Sequence, residues 1–348
     1  MKVSIGSKIK QGPWGGGNLF VINLKNYLLN QGHDVVHTLK DKDIDLILMT
    51  EPRRKSESSA FTHFDIKNYL EFINPNAIVV HRINECDERK DTNYVNKYLS
   101  NANKIADGTV FVSTWIKDLY KEVGIDLKNS KVILSGSDKK IFNDINGTNW
   151  DKKSELKIVT HHWGDNWKKG FDTYNILDEI VKNDFYDYDL SFTYIGKIPK
   201  NYKFINSNYI TPLSGNELAD EIKKHHIYVT GSLNEPSGNH HIEGAQCGLP
   251  LLYINSGGIP EYCNGYGVMY DIENFKEKLK EIIINYDVYK NAIKTYKNDS
   301  QVMSKEYEEF FFSLMKIKHQ LIKEREKSTE NKIIYIIKKI IFKIRNSS

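Results

Sequence analysis

Two glutamates, Glu235 and Glu243, stand eight positions apart in the stretch Ser232 to Glu261, SLNEPSGNHHIEGAQCGLPLLYINSGGIPE. One carboxylate can accept hydrogen bonds from sugar hydroxyls, and a second can grip the two hydroxyls of a ribose. The spacing alone carries little, because Glu273 and Glu281 repeat it. The context carries more: a strand is predicted at 227–230, then a loop with Glu235, Pro236 and Gly238, then a helix entered near Asn239 or His240 with Glu243 in its first turn. Free N–H groups at Asn239 and His240 would open on the C-terminal edge of a sheet, a setting that suits a diphosphate. Glu243 also has a plainer reading, a first-turn acid favoured by capping and the helix dipole.

A glycine-rich loop, GPWGGG from Gly12 to Gly17, joins the first predicted strand to the first helix. Glycines there let backbone approach an anion at a helix N-terminus, although a plain surface loop has the same composition. Phe20 stands where a dinucleotide fingerprint needs its third glycine, and no GK[ST] follows, so neither that fingerprint nor a Walker loop is present. His81, Arg82 and Asn84 close another predicted strand, followed by a charged run with Glu85, Asp87, Glu88 and Arg89. The pairs His161/His162 and His240/His241 do not suggest a metal site, since neighbours on a strand face opposite ways and no acid–histidine spacing accompanies them. Trp163 and Trp167 read as packing residues.

The elements that position these groups alternate from the first residue. Strands are predicted at 2–7, 35–38, 45–49, 78–82, 110–113 and 131–134, with helices near 18–31, 64–72, 92–105 and 115–123. A polar linker at 143–155 follows, and the alternation restarts with strands at 157–161, 190–196, 227–230 and 251–254 and helices near 171–182, 216–225 and 242–247. Helices at 274–286 and 304–318 then run on without strands. This is an α/β chain of two Rossmann-like doubly wound domains, 1–148 and 149–295, followed by a helix at 296–318 and a tail at 319–348.

The run from Glu235 to Glu243, continuing through GAQCGLP and GGIPE, resembles the E-x7-E region of the retaining glycosyltransferases of family 4. The likeness covers most of residues 1–315: the GGGN loop opening a helix that ends in QGHDV, GTVFVSTWIKDLY followed by KVILSGSDKKIF, and WKKGFD in the second half. It implies a GT-B fold, with an acceptor domain and a nucleotide-sugar domain facing a cleft and the 296–318 helix packing back on the first domain. It also implies transfer of a sugar from a nucleotide diphosphate to a glycan or lipid-linked acceptor, with retention and with no metal or other cofactor. By that resemblance Lys169, Gly238, Asn239 and His240 meet the diphosphate, and Gly16 and Gly17 close over it. Glu243 takes the ribose and Glu235 the transferred sugar; Glu235, Lys169 and His81 form the catalytic set, with Arg82, Asn84 and Asp87 on the acceptor side. The family commonly carries a Gly-Arg shortly before the Lys-Gly, whereas this chain reads THHWGDNWKKG. Lys168, His162 and Arg82 are the candidates for the missing cation, although a lysine lacks arginine's bidentate fork.

Length and composition fit this reading. The 348 residues suffice for two domains, and 40% hydrophobic with 27% charged residues exclude a disordered or fibrous chain. Cys86, Cys247 and Cys263 show no CxxC spacing and predict a reducing compartment. With no leader-like start, the chain is expected in the cytoplasm, peripheral on the inner face of the membrane. The net charge of +4 hides an asymmetry: residues 316–348 hold ten Lys/Arg against three Glu, a net of +7, which leaves −3 on the rest. A mildly acidic body argues against nucleic-acid binding. Within 331–345, NKIIYIIKKIIFKIR, seven isoleucines fall in one arc of a helical wheel and the bases opposite, the pattern of a helix lying on an anionic membrane surface.

Overall fold

The computed structural model describes residues 1–10, 15–182, 185–186 and 188–327, and the structural statements below concern those residues. Two six-stranded sheets, each wholly parallel, account for the strands. The first contains β1 (Lys2–Ile5), β2 (Asp34–Val36), β3 (Leu46–Met49), β4 (Ile78–Ile83), β5 (Gly108–Phe111) and β6 (Ser130–Val132), in the order β2-β1-β3-β4-β5-β6. The second contains β7 (Leu156–His162), β8 (Leu190–Gly196), β9 (Asn208–Ile210), β10 (Ile227–Thr230), β11 (Leu251–Ile254) and β12 (Gly267–Tyr270), in the order β12-β11-β10-β7-β8-β9. Central strands such as β3, LILM, are buried at every position, as a parallel sheet covered on both faces requires.

Each sheet has one point where the strand order reverses, between β1 and β3 in the first and between β7 and β10 in the second. Loops leaving the C-terminal ends of strands diverge there and leave a crevice, the usual ligand position in open α/β sheets. The glycine loop follows β1, and the segment from Gly231 to Gly238 follows β10. Gly16, Gly17, Lys169, Glu235, Gly238, Asn239 and His240 thus follow strands at the two switch points, and Arg82 and Asn84 lie at the end of β4 next to β3.

After the second sheet the chain crosses back. The helix Ser300–Lys316 packs against the helix Gly16–Asn30, burying Met303, Tyr307, Phe311 and Leu314 in one cluster with Val3, Leu24 and Leu28 of the first domain. Phe20 and Tyr307 meet ring to ring at 5.2 Å, and His33 Nε2 reaches Glu308 at 2.7 Å. The next helix, Lys318–Lys327, buries Leu321 in the same cluster, and Arg325 pairs with Asp107 of the first domain. The tail placed at 319–348 is therefore corrected at its start, because an apolar anchor and an ion pair hold residues to at least Arg325 on the body. The amphipathic segment 331–345 lies outside the described residues.

Candidate functional site

A cavity of about 670 Å³ lies between the domains, within the range of small-molecule sites. Two helices point their N-termini into it. Gly16–Asn30 starts from Gly15 and Asn239–Gln246 from Gly238, and neither has a side-chain cap, so their first N–H groups are available to an anion. The two ends nearly touch: a Cβ on Gly16 would come within 2.9 Å of the Asn239 side chain. Glycine at 16 thus leaves the Asn239 side chain in place, where a larger residue would push it aside. Gly238 adopts φ +76°, the left-handed region that glycine enters without cost, and so turns the loop into the helix.

Glu235 sits at the centre of the site. Lys169 Nζ lies 3.0 Å and Arg89 Nε 3.1 Å from the same atom, Glu235 Oε2. Burial opposes ionisation of this carboxyl, but the Lys169 ammonium and the Arg89 guanidinium outweigh it and hold it well below the usual carboxylate range. Burial also lowers Lys169, against the pull of Glu235. Arg89 comes from the first domain, on the short helix Asp87–Lys90, so this ion triad crosses the cleft.

Glu243 is oriented by a buried relay. His161 Nε2 donates to Glu243 Oε2 at 2.7 Å, and His161 Nδ1 accepts from the Tyr228 hydroxyl at 3.0 Å. The Tyr228 oxygen accepts in turn from the His161 backbone N–H at 3.1 Å. This holds the imidazole between Tyr228 and Glu243 and engages one carboxylate oxygen of Glu243, which lines the cavity. His240 bonds Thr230 Oγ1 at 2.7 Å; burial, with His162 beside it, keeps it neutral far below its ordinary value.

The structure brings Gly16, Gly17, Arg82, Asn84, Lys169, Glu235, Gly238, Asn239, His240 and Glu243 to this cavity. Two residues are elsewhere. His81 is fully buried on the other face of β4, bonded to Asn103 Nδ2 at 3.1 Å, because successive strand residues alternate and Arg82 takes the cleft side. Asp87 caps the helix Val95–Asn103, accepting from the N–H groups of Tyr94, Val95 and Asn96 at 3.0, 2.8 and 3.0 Å and from the Thr92 hydroxyl at 2.5 Å. Its oxygens are spent on that cap, so the catalytic place expected for His81 and the acceptor place expected for Asp87 are both corrected.

Arg89 and His161 are the residues that sequence reasoning passed over. Arg89 looked like one charge in a solvated run, and its partner is 146 positions away. The signal that pointed to it was indirect: a diphosphate site with one cation short, facing a basic loop at a sheet edge.

No family model matches this sequence, and no curated protein matches it. Solved structures do. HepE from Anabaena, in complex with UDP and glucose, shares 14% identity over 90% of this chain and 100% of its own, with a TM-score of 0.64. A glycosyltransferase from Rickettsia africae shares 14% over 90% of this chain and 98% of its own, TM-score 0.64. WaaB, a lipopolysaccharide outer core galactosyltransferase, shares 13% over 90% of this chain and 99% of its own, TM-score 0.63. Identity this low speaks for the fold, and the fold is GT-B.

Proposed function

We propose that this chain is a retaining glycosyltransferase that moves a sugar from a nucleoside-diphosphate donor to a glycan or lipid-linked acceptor in cell-surface polysaccharide synthesis. One observation carries the reading: two uncapped helix N-termini, Lys169, Glu235 and Glu243 converge on one interdomain cavity. Breaking a sugar–phosphate bond leaves negative charge on the diphosphate. Positive groups already aimed at that charge lower the barrier without reorganising. In this reading Lys169 and the N–H groups at Asn239 and His240 take the diphosphate, a role a divalent ion would otherwise fill. Glu243, aimed by His161, grips the ribose, and Glu235 accepts from hydroxyls of the transferred sugar.

The solved neighbours support the donor class, since HepE is described in complex with UDP and glucose. Retention follows from the resemblance to family 4: the departing phosphate stays on the face where the acceptor arrives and takes its proton. The first-domain wall, with Ser7, Lys8, Thr50 and Glu51, offers polar partners to a hydroxyl-rich acceptor. The segment 331–345 would hold the enzyme peripherally on the inner face of the membrane. Thermal melting with a panel of nucleotide sugars tests the assignment. One sugar nucleotide is expected to raise the melting temperature beyond its parent nucleotide, and no shift with any of them would refute it.

A further inference from the structure

We propose that Arg89, supplied across the cleft by the first domain, is the second cation that holds the donor diphosphate, opposite Lys169. The inference rests on the nucleotide-sugar reading above. The segment before Lys169 lacks an arginine, and of the substitutes the sequence offers two, Lys168 and His162, are committed elsewhere. Lys168 is bound to Asp91 and to the Glu88 carbonyl, the latter at 2.8 Å. His162 is fully buried and bonded to the Tyr174 hydroxyl at 2.6 Å; burial, with Lys169 nearby, leaves it neutral. Arg82 lines the cavity but lays its guanidinium 4.0 Å over the Phe20 ring of its own domain, and among the described residues only Arg89 and Lys169 pair with Glu235.

Arg89 is the cation that reaches the centre. It uses Nε on Glu235, and among the described residues no hydrogen bond engages its two Nη groups. A guanidinium can donate through both edges, so that fork is free to take phosphate oxygens. Arg89 and Lys169 share one carboxylate oxygen, so the triad carries a net positive charge beside two helix N-termini. Glu235 holds the same two cations that a diphosphate would take: on binding, the diphosphate displaces it from them, and its carboxylate turns to the sugar. The helix carrying Arg89 is pinned to the second domain by Lys168 and by Asn234 Nδ2, both on the Glu88 carbonyl. Arg89 is thus held against the second domain beside Lys169.

Calorimetric titration of UDP, GDP, ADP and dTDP, and of their monophosphates, into wild type, Arg89→Ala and Glu235→Gln tests this. Arg89→Ala is expected to weaken the preferred diphosphate at least tenfold and its monophosphate less than threefold, with Arg89→Lys intermediate. Glu235→Gln is expected to tighten the diphosphate at least threefold, and to lose that gain when combined with Arg89→Ala. An unchanged diphosphate affinity in Arg89→Ala, equal weakening of both nucleotides, or a weaker diphosphate in Glu235→Gln would overturn the role of Arg89. Wild type that binds no nucleoside diphosphate would instead overturn the nucleotide reading, and this inference with it.

Discussion

Glu261 of the second domain accepts two hydrogen bonds from Thr114 of the first, from its backbone N–H at 2.6 Å and from its hydroxyl at 2.8 Å. Thr114 opens the helix Thr114–Glu122, so the carboxylate completes that helix's positive end from across the cleft. Beside it, Tyr262 donates to the Val112 carbonyl and accepts from the Ser135 N–H at 2.9 Å. The interdomain arrangement that presents Arg89 is therefore held at a second place, away from the ion triad.

Glu261→Ala should loosen that arrangement. A helix-end carboxylate of this kind contributes about 1 kcal/mol, so nucleotide affinity should fall about fivefold and small-angle scattering should show a larger radius of gyration for the unliganded protein. An unchanged radius with unchanged affinity would mean the contact does not govern that arrangement.

His161→Ala should raise the donor KM about tenfold and leave kcat within twofold. Glu243 is assigned to ribose, a part of the donor that does not react, so its grip is the same in ground and transition states. Tyr228→Phe, which removes the hydroxyl that His161 Nδ1 accepts from, should act in the same direction more weakly. Steady-state kinetics checks both, and a loss confined to kcat would contradict the positioning role.

Stability should fall as pH drops below about 6.5. Burial holds His81 and His241 down at about 3 and His226 at about 4, and lowers His162, His225 and His240 as well. These folded-state values lie below the unfolded ones, so the unfolded chain binds more protons in this window and acid favours it. Each such histidine contributes up to about 1.4 kcal/mol per pH unit. Urea unfolding at pH 5.5 should therefore show several kcal/mol less stability than at pH 7.5, and equal stability would contradict the buried neutral assignment.

Removing residues 328–348 should release the protein from vesicles containing anionic lipid while leaving its melting temperature within a few degrees. The cut spares Leu321 and Arg325, which anchor the preceding helix. Undiminished vesicle binding in a co-sedimentation assay would remove the membrane role from segment 331–345.

Much of the architecture was legible because central parallel strands are continuous apolar runs, as in Leu46–Met49 and Leu251–Ile254. The strands missed were Asn208–Ile210 and Gly267–Tyr270, at the edges of the second sheet. With three and four residues, they owe their extended state to pairing with β8 and β11 rather than to pattern. The helix Asp87–Lys90 read as a charged loop because one turn has no periodicity to detect. Local motifs brought Lys169, Glu235 and Glu243 forward, whereas His81 failed because IVVHRI is buried on both faces and its alternation does not say which one meets the cleft. Arg89 and Glu261 act through partners more than a hundred positions away, which one-dimensional spacing does not encode.

Donor cleavage at the cavity shared by Lys169 and Glu243 can be followed directly. Wild type and Lys169→Ala should be incubated with each nucleotide sugar in turn, and release of nucleoside diphosphate followed with the anomeric form of the freed or transferred sugar. One donor should be consumed with its anomeric configuration kept, and the variant should be at least a hundredfold slower with its fold intact. Donor binding without turnover in wild type, or full turnover in Lys169→Ala, would contradict the account.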